Sequence, residues 1–339
     1  MPIFLDACSG ANTPYTPIWL NRQAGRYMPE YHALKGDTPS LDFFKNPSLA
    51  AKATLDAQRI LGVDAAIMFA DLLPVLEPMG LNLDYKPGVG PVFENPLRDQ
   101  QAIEALTVVP AEEGCGYIVE TLGRIRSDLP QEVALIGFAG APFTLACYAV
   151  EGKSSRNYAH VKRLMYDHEM LWQSLMHKLV DTIADYVRLQ IASGAQAIQL
   201  FDSWVGCLSM ADYERYVAPA TRRLMLSIQG KVPIIYFGTG NAHLLDAMYA
   251  TGPDLMALDW RVPLVETWDR LGSRAIQGNL DPIALCGRSS SMISQARNLL
   301  NEVGGRPGHI FNLGHGIVPT TPVDNVKRLV DFVHEESTR

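Results

Sequence analysis

The chain is short of the features that mark a secreted or membrane-embedded protein. Its five cysteines (Cys8, Cys115, Cys147, Cys207, Cys286) are scattered, odd in number and contain no CxxC pair. That pattern fits reduced thiols in a cytosol and excludes a disulfide framework as the organising device. No apolar run approaches the ~20 residues needed to cross a bilayer. The opening MPIFLDACSGANTP has no basic stretch ahead of an apolar one, so no signal peptide is expected and the location read from the sequence is cytoplasmic. Positive charge is not in excess either. The net charge of −7 gives no general attraction to nucleic acid or anionic membranes, although an acidic protein can still hold a local basic pocket for an anionic small molecule.

Several catalytic signatures are also missing. There is no HExxH, no His-x-Cys and no paired cysteines to hold zinc. There is no GxxxxGK[ST]. Gly238-Thr239-Gly240 starts a GxGxxG pattern but His243 occupies the place of its third glycine. Ser203 lies in Asp-Ser-Trp-Val-Gly, not in a GxSxG elbow, which disfavours a serine hydrolase. No lysine ends an apolar run, which disfavours Schiff-base chemistry. No repeat of 20–50 residues, low-complexity segment or dividing linker occurs.

What is present is an ordinary globular composition, 47% hydrophobic and 19% charged over 339 residues, arranged as apolar runs alternating with helical patterns. The runs are Pro17–Asn21, Ala65–Phe69, Ala134–Ala139, Ala197–Phe201, Val232–Phe237, Leu255–Asp259, Arg274–Gly278 and His309–Leu313. Most are continuous rather than alternating, as strands buried on both faces require. Helices are expected from Asn46-Pro47-Ser48 to Leu61, over Glu112–Leu129, from Tyr158 to Ser193, and over Ala211–Gln229, Ala242–Ala250, Leu264–Leu271, Ser290–Val303 and Val323–His334. Gly194, Gly230, Gly252 and Gly272 follow helical stretches, where a glycine is the favoured terminator. Eight such strands predict a single-domain α/β fold over residues 1–339, a (β/α)₈ TIM-type barrel, with a doubly wound open sheet as the alternative. The Pro/Gly-rich stretch from Lys86 to Pro96 reads as an excursion loop.

In a barrel, chemistry collects just past the C-terminal end of each strand. Here those positions carry Arg22 to Arg26, Asp71, Gly140 to Thr144 with Tyr148 beyond, Asp202-Ser203-Trp204, Gly238-Thr239-Gly240, Asp259-Trp260-Arg261, Gly278 to Asp281 and Gly314-His315-Gly316. Gly25 is expected to free the backbone for a tight loop, and Pro29 to hold Met28 extended. Two arginines, a glutamine and bare amides would then gather where a strand ends, a set suited to carboxylates. Singly, each residue has a plainer reading: Arg22 and Arg26 as surface arginines paired with acids, Asp71 as a cap, Tyr148 as a core tyrosine, Ser203 as a turn residue, and His315 as a satisfied histidine between glycines.

Taken together, WLNRQAGRYMPEY, FADLLPVLEPMGL, GFAGAPFTLACYAVEG, QLFDSWVG, QGNLDP and FNLGHGIVPTTPVDNV resemble the uroporphyrinogen decarboxylase family, in order from about Pro17 to Val330. The resemblance implies a distorted (β/α)₈ barrel and a cytoplasmic homodimer that needs neither metal nor organic cofactor. It implies removal of the four acetate carboxyl groups of uroporphyrinogen III to give coproporphyrinogen III, on the haem and chlorophyll route. By motif, Arg22, Gln23, Ala24, Gly25 and Arg26 correspond to the loop that binds substrate carboxylates. Asp71 corresponds to the catalytic aspartate facing the pyrrole nitrogens, and Tyr148, Ser203 and His315 to the remaining substrate contacts. Two positions depart from the family pattern: Asn21 stands where methionine is common, and Lys35 where arginine is usual.

Overall fold

The computed structural model describes residues 1–339. Seven of the eight expected strands pair in parallel: β1 (Ala65–Ile67), β4 (Ala134–Gly140), β5 (Ala197–Asp202), β6 (Ile234–Gly238), β7 (Leu255–Ala257), β8 (Ile276–Gln277) and β9 (His309–Ile310). Their spatial order follows the chain, with helices on each crossover, so the sheet curls as a TIM-type barrel instead of reversing as an open doubly wound sheet would. Continuous apolar runs give this result because both faces are covered. Along β6, Ile234 and Tyr236 join one buried cluster with the surrounding helices, while Ile235 and Phe237 join a second.

The eighth expected strand, Pro17–Asn21, makes only one bridge, between Ile18 and Phe311. Phe311 N–H donates to the Pro17 carbonyl at 2.9 Å and Trp19 N–H to the Phe311 carbonyl at 3.3 Å. Pro17 has no N–H of its own, so this segment cannot form a full ladder. On its other side, toward β1, a side chain completes the pairing. Asp64 N–H donates to the Ile18 carbonyl at 2.9 Å, and the Asp64 carboxylate accepts Ile18 N–H at 2.7 Å. The same buried carboxylate accepts the Tyr15 hydroxyl at 3.0 Å and lies 2.8 Å from His334 Nε2 on the C-terminal helix Val323–Glu336. One aspartate thereby holds the N-terminal segment, the start of β1 and the last helix together.

The sequence expectations need three corrections. Lys86–Pro96 is not an open loop: β2 (Leu83–Lys86) and β3 (Gly90–Phe93) form an antiparallel hairpin. Its turn is supplied by Gly88 and Gly90, both at positive φ (73° and 90°), so the glycines serve strand pairing. The long helix breaks at His168 into Ala159–Asp167 and Glu169–Ala192, and the helix over Glu112–Leu129 breaks at Gly116. Short helices at Ile3–Cys8, Pro29–Lys35, Ser40–Lys45, Gln100–Ala105 and Pro142–Glu151 escape the periodicity reading because they span few turns. Gly194, Gly230, Gly252 and Gly272 all have positive φ, as terminators of the preceding helices.

Removing the Asp64 carboxylate leaves the Ile18 amide buried without an acceptor. Asp64→Ala is expected to lower the unfolding free energy by about 2–3 kcal/mol. Denaturant titration measures this, and an unchanged midpoint would show that the ring closes without the clasp.

Candidate active site

The arginine turn is built on Asn21. Its N–H donates to Asn312 Oδ1 at 3.0 Å, its side-chain Nδ2 to the Leu313 carbonyl at 3.3 Å, and its own carbonyl accepts Ile317 N–H at 2.9 Å. Three bonds therefore fasten this one residue to the loop that carries His315. Its Oδ1 accepts Gln199 Nε2 at 3.0 Å; Gln199 accepts Gln277 Nε2 at 2.9 Å, and Gln277 accepts the Trp19 indole N–H at 2.9 Å. These side chains are almost wholly buried, so each amide needs partners, and the chain of bonds supplies them across the barrel interior.

Immediately after Asn21 the backbone turns. The left-handed residue is Arg22 (φ 63°), not Gly25, whose φ is unexceptional and where an added Cβ would only touch the Arg22 carbonyl. That φ is uncommon for a side-chain-bearing residue. It persists here because both neighbours are fixed: Asn21 as described, and Gln23 by accepting Leu20 N–H at 3.1 Å and donating to the Ala65 carbonyl at 3.0 Å. The Gln23 carboxamide is thus occupied within the fold. The amides of Ala24, Gly25 and Arg26 donate to no protein group. Arg22 and Arg26 are exposed, and neither takes part in an ion pair. The paired-surface reading of these arginines therefore fails. Met28 is extended (ψ 127°) ahead of the helix that Pro29 opens. Lys35 ends that helix by donating to the Thr38 carbonyl at 2.6 Å.

His315 sits between two glycines that the packing requires. A Cβ at Gly314 would overlap the Trp260 backbone, and one at Gly316 would overlap the Arg22 side chain. The Arg22 stem therefore lies across the histidine loop. His315 Nδ1 accepts Gly316 N–H at 2.7 Å, which leaves its proton on Nε2. Burial, then the nearby Arg22 charge, lower its pKa, so the ring is a neutral N–H donor at pH 7.

Asp71 lies past β1, half-buried, with Oδ1 accepting Leu73 N–H at 3.1 Å. Burial pushes its carboxyl up, opposed by Leu73 N–H, by Tyr85 and by the Arg22 charge. Tyr85 escapes the sequence reading because its strand, Leu83–Lys86, is too short to stand out beside the glycines that follow it. Its hydroxyl is buried beside Asp71 without a completed hydrogen bond. The alternation Leu83-Asp84-Tyr85-Lys86 was the available signal. Tyr148, on the helix Pro142–Glu151, packs on Trp204 with ring centroids 5.6 Å apart. Burial first, then Asp71, push its hydroxyl up to about 12, against the Arg22 charge. Asp71, Tyr148 and His315 thus share Arg22 as a charged neighbour. The Arg26 charge acts on Tyr31, and its carbonyl bonds His32 at 2.7 Å. Ser203 follows β5 and precedes Trp204. That corner is fixed by buried Asp202, which accepts the Thr144 and Tyr236 hydroxyls, each at 2.7 Å. No trio of His, Cys, Asp or Glu side chains converges to hold an ion.

The family profile described as "Uroporphyrinogen decarboxylase (URO-D)" matches residues 1–336. The chain belongs to the uroporphyrinogen decarboxylase family. The uroporphyrinogen decarboxylase of Koribacter versatilis is 49% identical over 340 residues, covering 99% of this chain and 97% of that protein. The one from Sorangium cellulosum is 48% identical, covering 98% of this chain and 95% of that protein. Among solved structures, a methyltransferase from Methanosarcina mazei superposes with a TM-score of 0.82 over 98% of this chain and 97% of its own. At 19% identity that likeness speaks for the fold alone.

Asn21→Leu removes both side-chain bonds while filling similar space. We expect a loss of about 1–3 kcal/mol in unfolding free energy, because the Gln199 amide loses its acceptor. The double variant with Gln199→Leu should cost less than the sum of the two singles. Additive losses in urea titrations would show that the two side chains act independently.

Proposed function

We propose that this chain decarboxylates uroporphyrinogen, taking the four acetate arms to methyl groups with release of four CO₂ and yielding coproporphyrinogen. The observation that carries the reading is the arginine turn. Two unpaired guanidinium groups and three unpartnered amides stand on a rigid strand end, and Arg22 lies within the electrostatic reach of a half-buried aspartate. Eight substrate carboxylates match the cations, since guanidinium forks pair with carboxylates and keep their charge.

The chemistry needs little else. A pyrrole protonated on ring carbon becomes a cation. When the acetate C–C bond breaks, its electron pair moves into that cation and CO₂ leaves. The resulting exocyclic methylene takes a proton while the ring carbon loses one, so each arm consumes one proton overall. The substrate is its own electron sink. In this reading Asp71 accepts pyrrole N–H groups, which favour its ionised form against the effect of burial. Its charge then stabilises the ring cation in the transition state. His315, a neutral Nε2–H donor, and the Tyr148 hydroxyl bind substrate polar groups alongside it, with Ser203 at the β5 corner. Gln23 contributes by holding the turn, and Ala24, Gly25 and Arg26 by offering amides. The reading extends to a homodimer of one-domain subunits, residues 1–339 each, in the cytoplasm, with no nucleic-acid or membrane partner and no cofactor.

The deciding experiment is turnover of uroporphyrinogen by dialysed, chelator-treated protein, followed as seven- to four-carboxylate products. No turnover, or turnover only after adding a metal or pyridoxal phosphate, would overturn the reading. Replacing Arg22 or Arg26 with alanine is expected to weaken substrate binding by about 1.5–3 kcal/mol each and to flatten its salt dependence. Unchanged binding in both folded variants would return these arginines to the surface.

Asp71→Asn keeps the shape and removes the charge, so the rate should fall on the order of 10²–10³-fold with little change in melting temperature. Because the Asp71 pKa is raised in the free protein, wild-type kcat/KM should be full above that value and lost as pH falls through it, at a higher pH than for a free aspartate. The acid limb should vanish in Asp71→Asn. A destabilised variant with near-normal turnover would make Asp71 a turn residue only.

A further inference from the structure

The loop after β7 carries a cation that the motif comparison does not assign. Asp259 is wholly buried, and its carboxylate is fully engaged. Oδ1 accepts Arg261 N–H at 2.9 Å, while Oδ2 accepts Gly240 N–H at 2.7 Å and Arg261 Nη1 at 2.6 Å. Asn279 Nδ2 fastens the same loop from β8, donating to the Asp259 carbonyl at 3.0 Å and the Val262 carbonyl at 2.7 Å. The Arg261 guanidinium carbon lies over Trp260, 3.7 Å from the ring centroid, and its side chain is 55% exposed. An arginine held by one carboxylate and one aromatic face keeps most of its N–H donors free, and much of its conformational entropy is already lost before any ligand arrives.

The position of Trp260 relates this cation to the active site. The ring packs edge-on to His315 at 6.1 Å, and its backbone abuts Gly314. Arg22 abuts Gly316 on the other side of the histidine. His315 is therefore flanked by two cationic elements, Arg22 on one side and Trp260 with Arg261 on the other. The charges of Arg261 and Arg22 both reach His315, and Arg22 acts on Asp71 as well. Arg261 follows β7 and so stands among the loops at the C-terminal ends of the strands.

We propose that Arg261 binds one propionate carboxylate of the substrate, fixing an arm that does not react. This rests on the decarboxylase reading above. Propionates survive all four rounds, so the contact orients the macrocycle in each of them, from the eight-carboxylate substrate to the five-carboxylate intermediate. Arg306 provides a control within the same chain. It also stacks on an indole, Trp268 at 3.8 Å, and pairs with a carboxylate, the exposed Asp269, but it precedes β9 and so lies at the opposite end of the barrel.

The test compares wild type, Arg261→Ala, Arg261→Met and Arg306→Ala, with KM and kcat measured on the eight-carboxylate and five-carboxylate substrates at low and high salt. Arg261→Met keeps an aliphatic stem over Trp260, so it separates loss of charge from loss of loop packing. Both Arg261 variants should raise KM roughly ten-fold or more for both substrates, with a shallower salt dependence and kcat within about two-fold. Arg306→Ala should match wild type. KM unchanged in folded Arg261 variants overturns the proposal. A KM rise for the eight-carboxylate substrate alone overturns the propionate assignment, because it points to an arm that is consumed. A KM rise in Arg261→Ala that Arg261→Met lacks overturns it in favour of loop packing. Wild-type protein that turns over neither substrate refutes the decarboxylase reading instead, independently of the variants.

Discussion

A parallel barrel must bring its first strand against its last, and in this chain the first strand is poorly equipped for the task. Pro17 has no N–H, and the segment makes one bridge to Phe311. The Asp64 carboxylate substitutes for the missing ladder on the β1 side, accepting Ile18 N–H and reaching Tyr15 and the last helix through His334. A side-chain acceptor can do this where a backbone ladder cannot, because it is charged, buried and free to take several donors at once. The active site depends on that closure, since Arg22 follows directly from the segment being held.

The closure and the site share a second set of bonds. The amide chain Trp19–Gln277–Gln199–Asn21 runs across the barrel interior and ends at the Leu313 carbonyl. In an apolar interior such groups would each be a cost if left unpaired. Linked head to tail, they fix the height at which the first and last strands meet. The left-handed Arg22 and the histidine loop are then held by neighbours that cannot shift independently, and the glycines at 314 and 316 allow the two loops to touch. Rigid placement of donors before substrate arrives is what electrostatic catalysis requires.

Electrostatically the site is asymmetric. Arg22 is unpaired and acts on Asp71, Tyr148 and His315 together: burial first and then Arg22 hold the histidine neutral, while Arg22 opposes the effect of burial on the aspartate. Arg26 and Arg261 add exposed positive charge on loops at the strand ends, in a chain whose net charge is −7. On the proposed reading, the arms of a polyanion meet these cations and Asp71 faces the ring where the cation forms.

Much of this was legible in the chain itself. Continuous apolar runs marked seven parallel strands and their order, because a run buried on both faces cannot alternate. The RQAGR and NLGHG motifs carried the family. Residue type alone also indicated a carboxylate ligand, since a guanidinium never loses its charge. The tertiary structure decided what depends on partners distant in sequence. It assigned the tight turn to Arg22 instead of Gly25, because anchors at Asn21 and Gln23 offset an uncommon φ. It paired Leu83–Lys86 with Gly90–Phe93 in a hairpin that brings Tyr85 to Asp71, and it occupied Gln23 and Lys35 within the fold. It also stacked Arg261 on Trp260 beside His315. Hydrogen bonds such as Asn21 to Gln199, 178 residues apart, leave no local periodicity to read. They exist only once the ring has closed and brought the two amides into the same dry interior.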